Sequence, residues 1–218
     1  MLPKPPFIRT ETFTRSEHIF FDNLVAMMAS LSSFTLVAQL VKTKSSPIIS
    51  VGDEGTLADV LEMPFRGAHV AEAYVYRSYE PLHTITSNTA VDELMFQVHQ
   101  NIQRPNSVAG GHYVSYPAHL SQLIVGSAYA NFYENCLPQI QAKFSHTTTN
   151  WPSDLNFARV IRNAYSHGGK IHFDNPNAAA VSWKDLTYSP DNNGQPIHPD
   201  IFVVEIIQLM QAIAYHVR

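Results

Sequence analysis

No charged residue falls between Leu24 and Val41, and this stretch constrains the fold more than any other part of the chain. A segment so apolar must be buried, in a bilayer or in a protein core. Its length approaches that of a membrane span. Yet Ser32, Thr35 and Gln39 recur at helical spacing and draw a polar stripe along it. Hydrocarbon would leave those groups unsatisfied, so the stretch reads as a buried bundle helix rather than a membrane anchor. Leu24, Met27, Met28, Leu31, Phe34, Ala38 and Val41 share one face of a helix predicted over 16–43.

The rest of the chain reads largely the same way. With 45% hydrophobic residues in 218, it can bury one large core. We therefore expect an extended, Pro-marked arm over 1–15 and a single helical domain over 16–218. A short strand and turn are predicted over 47–55, and a second helical region starts near Thr56, breaks at Pro64 and resumes over 68–79. Ser87, Asn88 and Thr89 offer N-caps for a helix carrying Val91, Leu94, Met95, Val98 and Ile102. A loop spans Arg104 to Gly111. Pro117 opens a long helix to Phe144, which Pro138 is expected to kink or end.

Trp151-Pro152-Ser153-Asp154 starts the next helix. After Gly169 the period changes. Residues 170–173 and 179–183 resemble strands, and Asp191-Asn192-Asn193-Gly194 supplies a turn. A last helix from Pro199-Asp200 turns Phe202, Ile206, Leu209, Met210, Ile213 and Val217 inward. The fold class that follows is an all-α antiparallel bundle with a small β-hairpin excursion near 170–197.

A net charge of -4 gives no global basic field, so the chain is no nucleic-acid coat, although a local basic patch remains open to it. Cys136 is the only cysteine, which excludes an internal disulfide and fits a reducing cytosol. Its bland role is that of a small buried hydrophobe. Met1-Leu2-Pro3-Lys4-Pro5-Pro6 lacks the apolar region of a secretory signal. A cytoplasmic protein without membrane attachment is expected.

Chemistry concentrates in Arg162-Asn163-Ala164-Tyr165-Ser166-His167, followed by Gly168-Gly169. On a helical wheel Phe157, Ala158, Ile161, Ala164 and Tyr165 cover the apolar side. Arg159, Arg162, Asn163, Ser166 and His167 gather on the opposite arc, two arginines with no acid among them. An idle solvated face is the ordinary reading of such an arc. Against it stands the chemistry: a guanidinium fork matches phosphate oxygens, and imidazole exchanges protons near neutral pH. Gly168-Gly169 suits a left-handed helix end just beyond His167. Arg162 and His167 lie roughly 140° apart on an ideal wheel and should not touch within one helix.

Arg162-Asn163-x-x-x-His167, late in a chain read as helical, resembles the Arg–(four to six residues)–His motif of the HEPN superfamily (higher eukaryotes and prokaryotes nucleotide-binding). The resemblance rests on six residues and, loosely, on the helical context. It implies a four-helix core and a metal-independent endoribonuclease, with Arg162, Asn163 and His167 catalytic. It also implies a homodimer whose facing motifs form one composite site, and roles in toxin–antitoxin, antiviral defence and RNA-processing systems, where an antitoxin or regulatory protein is a candidate partner. The strand excursion after His167 departs from a plain four-helix core.

RNA carries its own nucleophile, the 2′-hydroxyl, so no cofactor or metal-bound water is required. His167 would transfer protons, Arg162 would hold nonbridging oxygens and Asn163 would orient His167 or the phosphate; two protomers would supply base and acid. The products would be a 2′,3′-cyclic phosphate and a 5′-hydroxyl. Arg159 is a candidate for a flanking phosphate and Ser166 a further substrate contact. His167-x4-His172 also admits a metal site, but across the Gly-Gly break that spacing is poor for two ligands of one ion. Trp183 and Tyr188 can stack on a base or anchor a hairpin, and Tyr74, Tyr76 and Tyr79 read as packing. The competing class is a non-catalytic helical interaction protein that keeps the fold and lacks turnover.

Overall fold

In a computed structural model the chain is mixed α/β, which overturns the all-α expectation. The structure describes residues 6–43, 62–68, 70–77, 90–100, 116–198 and 200–218. Strands β1 (Phe7–Thr14), β2 (Glu62–Arg66), β3 (Glu72–Arg77) and β4 (Glu93–Gln100) form a four-stranded antiparallel sheet in the order β1-β4-β3-β2. Four helices accompany it: α1 (Phe21–Thr43), α2 (Tyr116–Phe144), α3 (Ser153–Ser166) and α4 (Val203–Val217). A two-stranded hairpin, β5 (Val181–Trp183) and β6 (Leu186–Tyr188), lies between α3 and α4. The strand expected over 47–55, the Ser87–Thr89 caps, Tyr79, Ile102 and the Arg104–Gly111 loop lie outside the described residues.

Three segments are strands where another state is predicted. The Pro-marked arm becomes edge strand β1, in register with β4 from Arg9↔Val98 to Thr14↔Glu93. The helical region broken at Pro64 is the β2–β3 hairpin, with Pro64 paired to Val75. Pro64 is tolerated there because an edge strand need not offer every N–H to a neighbour. The helix expected from Ser87 is β4. Leu94, Phe96 and Val98 are fully buried and alternate with exposed Glu93 and Met95, a period of two. The sheet turns Phe13, Tyr74, Tyr76 and these β4 residues towards the helices. A chain of edge-on rings, Phe96–Phe13–Phe20–Phe132, runs from β4 through β1 and the start of α1 to α2.

The helices themselves hold close to expectation, with two corrections. Pro138 lies inside α2, which continues to Phe144 despite the missing N–H. Phe202 is 40% exposed, just before α4, while Ile206, Leu209, Met210 and Ile213 are buried. Ile161 is fully buried on α3. Phe157 stacks on Trp183 (centroids 5.7 Å) and Tyr188 (5.4 Å), so those two aromatics anchor the hairpin to α3. Cys136 is buried, and burial pushes its thiol up to about 11. Among the described residues no helix is long and apolar enough to cross a membrane.

A buried carboxylate ties sheet to helices. Glu205, in the first turn of α4, is fully buried and accepts from the N–H groups of Ala68 (2.6 Å), Val70 (3.2 Å) and Phe202 (3.1 Å). It thereby holds the β2–β3 turn against the start of α4. Gly67 lets the turn close on it, since a Cβ there would come within 2.9 Å of Glu205 Oε1.

Candidate functional site at the end of α3

Helix α3 is amphipathic as the wheel requires. Leu155, Phe157, Ala158, Val160, Ile161 and Ala164 are buried, while Asn156, Arg159, Arg162 and Asn163 are half-buried and Ser166 is exposed. Its end is set by backbone geometry. The N–H of His167 bonds to the carbonyls of Asn163 and Ala164, and that of Gly169 to Ala164 at 2.8 Å. Gly168 and Gly169 have φ of +69° and +76°, the left-handed values that glycine reaches without a Cβ penalty. His167 is thus the last residue before a reversal of the chain.

The reversal is clamped. Ile171 N–H bonds to Gln195 O, Gly194 N–H to Ile171 O, and Ile197 N–H to Gly169 O. The Asn193 side chain accepts from Phe173 N–H (2.7 Å) and donates to Phe173 O (3.1 Å). Lys170 makes only an isolated bridge to Pro196, so the strand predicted over 170–173 does not form. Ile171 and Phe173 are nevertheless buried in alternation, which turns His172 outward. Its ring stacks on that of His167, with centroids 3.9 Å apart and planes at 29°. His172 Nε2 lies 2.9 Å from Asp174 Oδ1. A carboxylate only accepts, so this bond places a proton on Nε2 and leaves Nδ1 of a neutral ring open.

The remaining predicted residues are dispersed. Arg162 turns to α2, where its Nε lies 2.5 Å from Glu134 Oε1. That nitrogen is buried and lacks the alignment of a hydrogen bond, so the contact is an ion pair by distance alone. Its Nη1 donates to Asn163 Oδ1 at 3.3 Å, so Asn163 addresses Arg162 rather than His167. Ser166 donates to the Arg162 carbonyl and lines a different groove, with His119, Gly126 and Tyr165. Arg159 faces a third place, a cleft along the first half of α3 that Asp174 also lines. As the wheel implied, no contact joins Arg162 to His167.

His172 and Asp174 are the residues that reasoning from the sequence passed over as a catalytic pair. The signal was there. A Gly-Gly reversal followed by Ile171-His172-Phe173 returns one polar side chain beside the helix end it has just left. With the rings stacked face to face, the nitrogens do not converge on one point as metal ligands would. Among the described residues no three His, Cys, Asp or Glu side chains form a metal-binding group. Comparison with known protein families, with curated proteins and with solved structures gives no match.

Proposed function

We propose that the chain is a metal-independent ribonuclease whose proton-transfer groups are His167 and His172 of one protomer. The observation that carries this reading is the stacked imidazole pair with Asp174 on its outer ring. Phosphodiester transfer to the 2′-hydroxyl needs a base for the 2′ proton and an acid for the leaving 5′-oxygen, and two imidazoles in different protonation states supply both. His172, oriented by Asp174, takes the 2′ proton as the O2′–P bond forms. His167 gives a proton to O5′ as the P–O5′ bond breaks. A 2′,3′-cyclic phosphate and a 5′-hydroxyl result. The phosphate lies against the common edge of the two rings.

Compared with the HEPN expectation, RNA and His167 are kept and the second imidazole moves from a partner protomer to His172. Arg162 joins only by releasing Glu134, and its one-third exposure keeps that exchange open. A homodimer and an antitoxin-like partner are compatible with the reading but not required by it. The Arg162–Glu134 pair favours the second reading, a non-catalytic interaction protein in which the arginine serves the α2–α3 contact.

The test is cleavage of mixed-sequence RNA in EDTA by wild type, His167→Ala and His172→Ala, with DNA as control. Loss in both variants at unchanged melting temperature is expected. Intact RNA with wild-type protein defeats the ribonuclease reading for those substrates, and full activity in His172→Ala removes the intrachain pair.

A further inference from the structure

The cleft that Arg159 faces has a volume of about 720 Å3 and opens between the first half of α3, the turn at 148–151 and the returning segment 173–181. That size falls in the range of small-molecule sites, ~300–1,000 Å3, and the lining is largely polar, from Thr148 and Asn156 to Asn175 and Asn177. Trp151 and Phe173, both buried, are among its lining residues. Its one cation is Arg159 and its one acid is Asp174.

Arg159 is poorly employed by the fold. Its Nε is buried without a hydrogen bond, and among the described residues it forms no ion pair. Its charge is felt by the buried Tyr133 phenol, but the Tyr133 hydroxyl makes no hydrogen bond either. The Arg159 Nε is enclosed, so it is the charge that acts: no carboxylate among the described residues pairs with Arg159, and a guanidinium without a counter-ion at a cleft favours an anion. Asn156, by contrast, spends its amide N–H groups on the carbonyls of Thr148 (2.8 Å) and Trp151 (3.1 Å). That fixes the side chain and leaves Oδ1 as an acceptor at the cleft. Asp174 gives Oδ1 to His172 and keeps Oδ2. The cleft therefore offers one fork for an anion and acceptors for N–H groups, and through Asp174 it continues into the His167–His172 pair.

We propose that this cleft holds a single nucleotide, with Arg159 on its phosphate and Asp174 and Asn156 accepting from the N–H groups of its base. The choice of a nucleotide rests on the ribonuclease reading; the existence of a site rests on Arg159 and the cleft. Eight residues separate Arg159 from His167, about 12 Å along a helix axis. Arg159 therefore takes a phosphate flanking the reacting one, and the base it positions decides which bond reaches the imidazoles.

Calorimetry on the full chain with 5′-AMP, 5′-GMP, 5′-CMP, 5′-UMP and inorganic phosphate tests this. At least one nucleotide should bind more tightly than phosphate. Arg159→Ala should weaken it tenfold or more and Arg159→Lys by less, because an ammonium lacks the guanidinium fork. His167→Ala should bind it unchanged. Should Arg159→Ala fail to fold, Arg159→Lys and Asp174→Asn decide. The Asp174 side chain is 84% exposed, and its replacement should alter the order of preference among the four nucleotides. No nucleotide binding at millimolar concentration, phosphate binding as tightly as every nucleotide, or unchanged binding in both remaining variants overturns the proposal. Nucleotide binding without RNA cleavage would sink the ribonuclease reading and keep the site; RNA cleavage indifferent to Arg159 would do the reverse.

Discussion

Two polar clusters of this molecule differ in what they leave open. Where the sheet meets α4, Arg9 donates to Glu72 (2.5 Å) and Glu11 (3.1 Å), and the Tyr74 hydroxyl donates to Glu11 at 2.7 Å. Gln211 donates to Glu11 (2.7 Å) and Gln208 to Glu72 (3.2 Å). Glu205, close by on α4, is enclosed by three backbone donors. At the end of α3 the investment is reversed. The backbone of 167–173 is fastened by hydrogen bonds, while the His167 and His172 side chains stay at the surface with ring nitrogens to spare. Charges closed on one another hold elements in place. A fixed backbone bearing open side chains is the arrangement that works on another molecule.

The comparison breaks most visibly in activity. Either His167→Ala or His172→Ala should lower RNA cleavage by ~10²–10⁴-fold, the usual contribution of a positioned proton-transfer group. Neither should move the thermal midpoint. A large loss of stability in both variants would place this pair with the structural cluster.

Glu205→Ala should do the opposite. It strands the N–H groups of Ala68, Val70 and Phe202, at a cost of about 1–3 kcal/mol for each buried donor that water does not reach. Urea unfolding measures it. A change below 1 kcal/mol would show that the turn is held by other contacts. RNA cleavage, measured where the variant is fully folded, should be unaffected.

His198 sharpens the contrast through pH. Both its ring nitrogens are buried without a hydrogen bond, and burial holds the imidazole below its ordinary 6.5, against the opposing pull of Asp200. The unfolded chain therefore takes up this proton first. Its contribution to stability is complete above about pH 6.5 and is lost as pH falls through that value towards the folded one. Unfolding midpoints of wild type should decline from pH 7 to 5 more steeply than those of His198→Leu. Parallel curves would exclude a role for His198.

The smallest effect is expected at Glu134→Gln. With side chains 33% and 44% exposed, the Arg162–Glu134 pair should contribute about 0–1 kcal/mol to stability. Its value is in the sign of the activity change. Faster RNA cleavage means that Arg162 is released towards substrate, unchanged cleavage leaves Arg162 outside the reaction, and lost partner binding without any cleavage would support the interaction-protein reading.

Helices were more legible in the sequence than strands, for a physical reason. In α3 and α4 the apolar periodicity is long enough to be unambiguous, and it put Ile161, Leu209 and Ile213 in the core. In and just before β4, Val91, Leu94, Met95 and Val98 satisfy a helical spacing while Leu94, Phe96 and Val98 satisfy an alternating one. Over so short a run both patterns fit. What decides between them is the presence of β1 and β3 on either side, whose paired residues lie 79–92 and 20–28 positions away in the chain. Hydrogen bonds between strands are non-local, so a local pattern does not contain them.

The same division runs through the candidate site. By itself the sequence determined that α3 is amphipathic, that it ends in a left-handed Gly-Gly turn, and that Arg162 and His167 point apart, because 3.6 residues per turn and the freedom of glycine are local properties. Only the tertiary structure decided that Arg162 meets Glu134, that His172 returns to His167, and that Arg159 opens onto a cleft. Each depends on where a second segment lies. Ile171 and Phe173 take His172 back to the helix end by burying themselves in a core that the whole chain must fold to create.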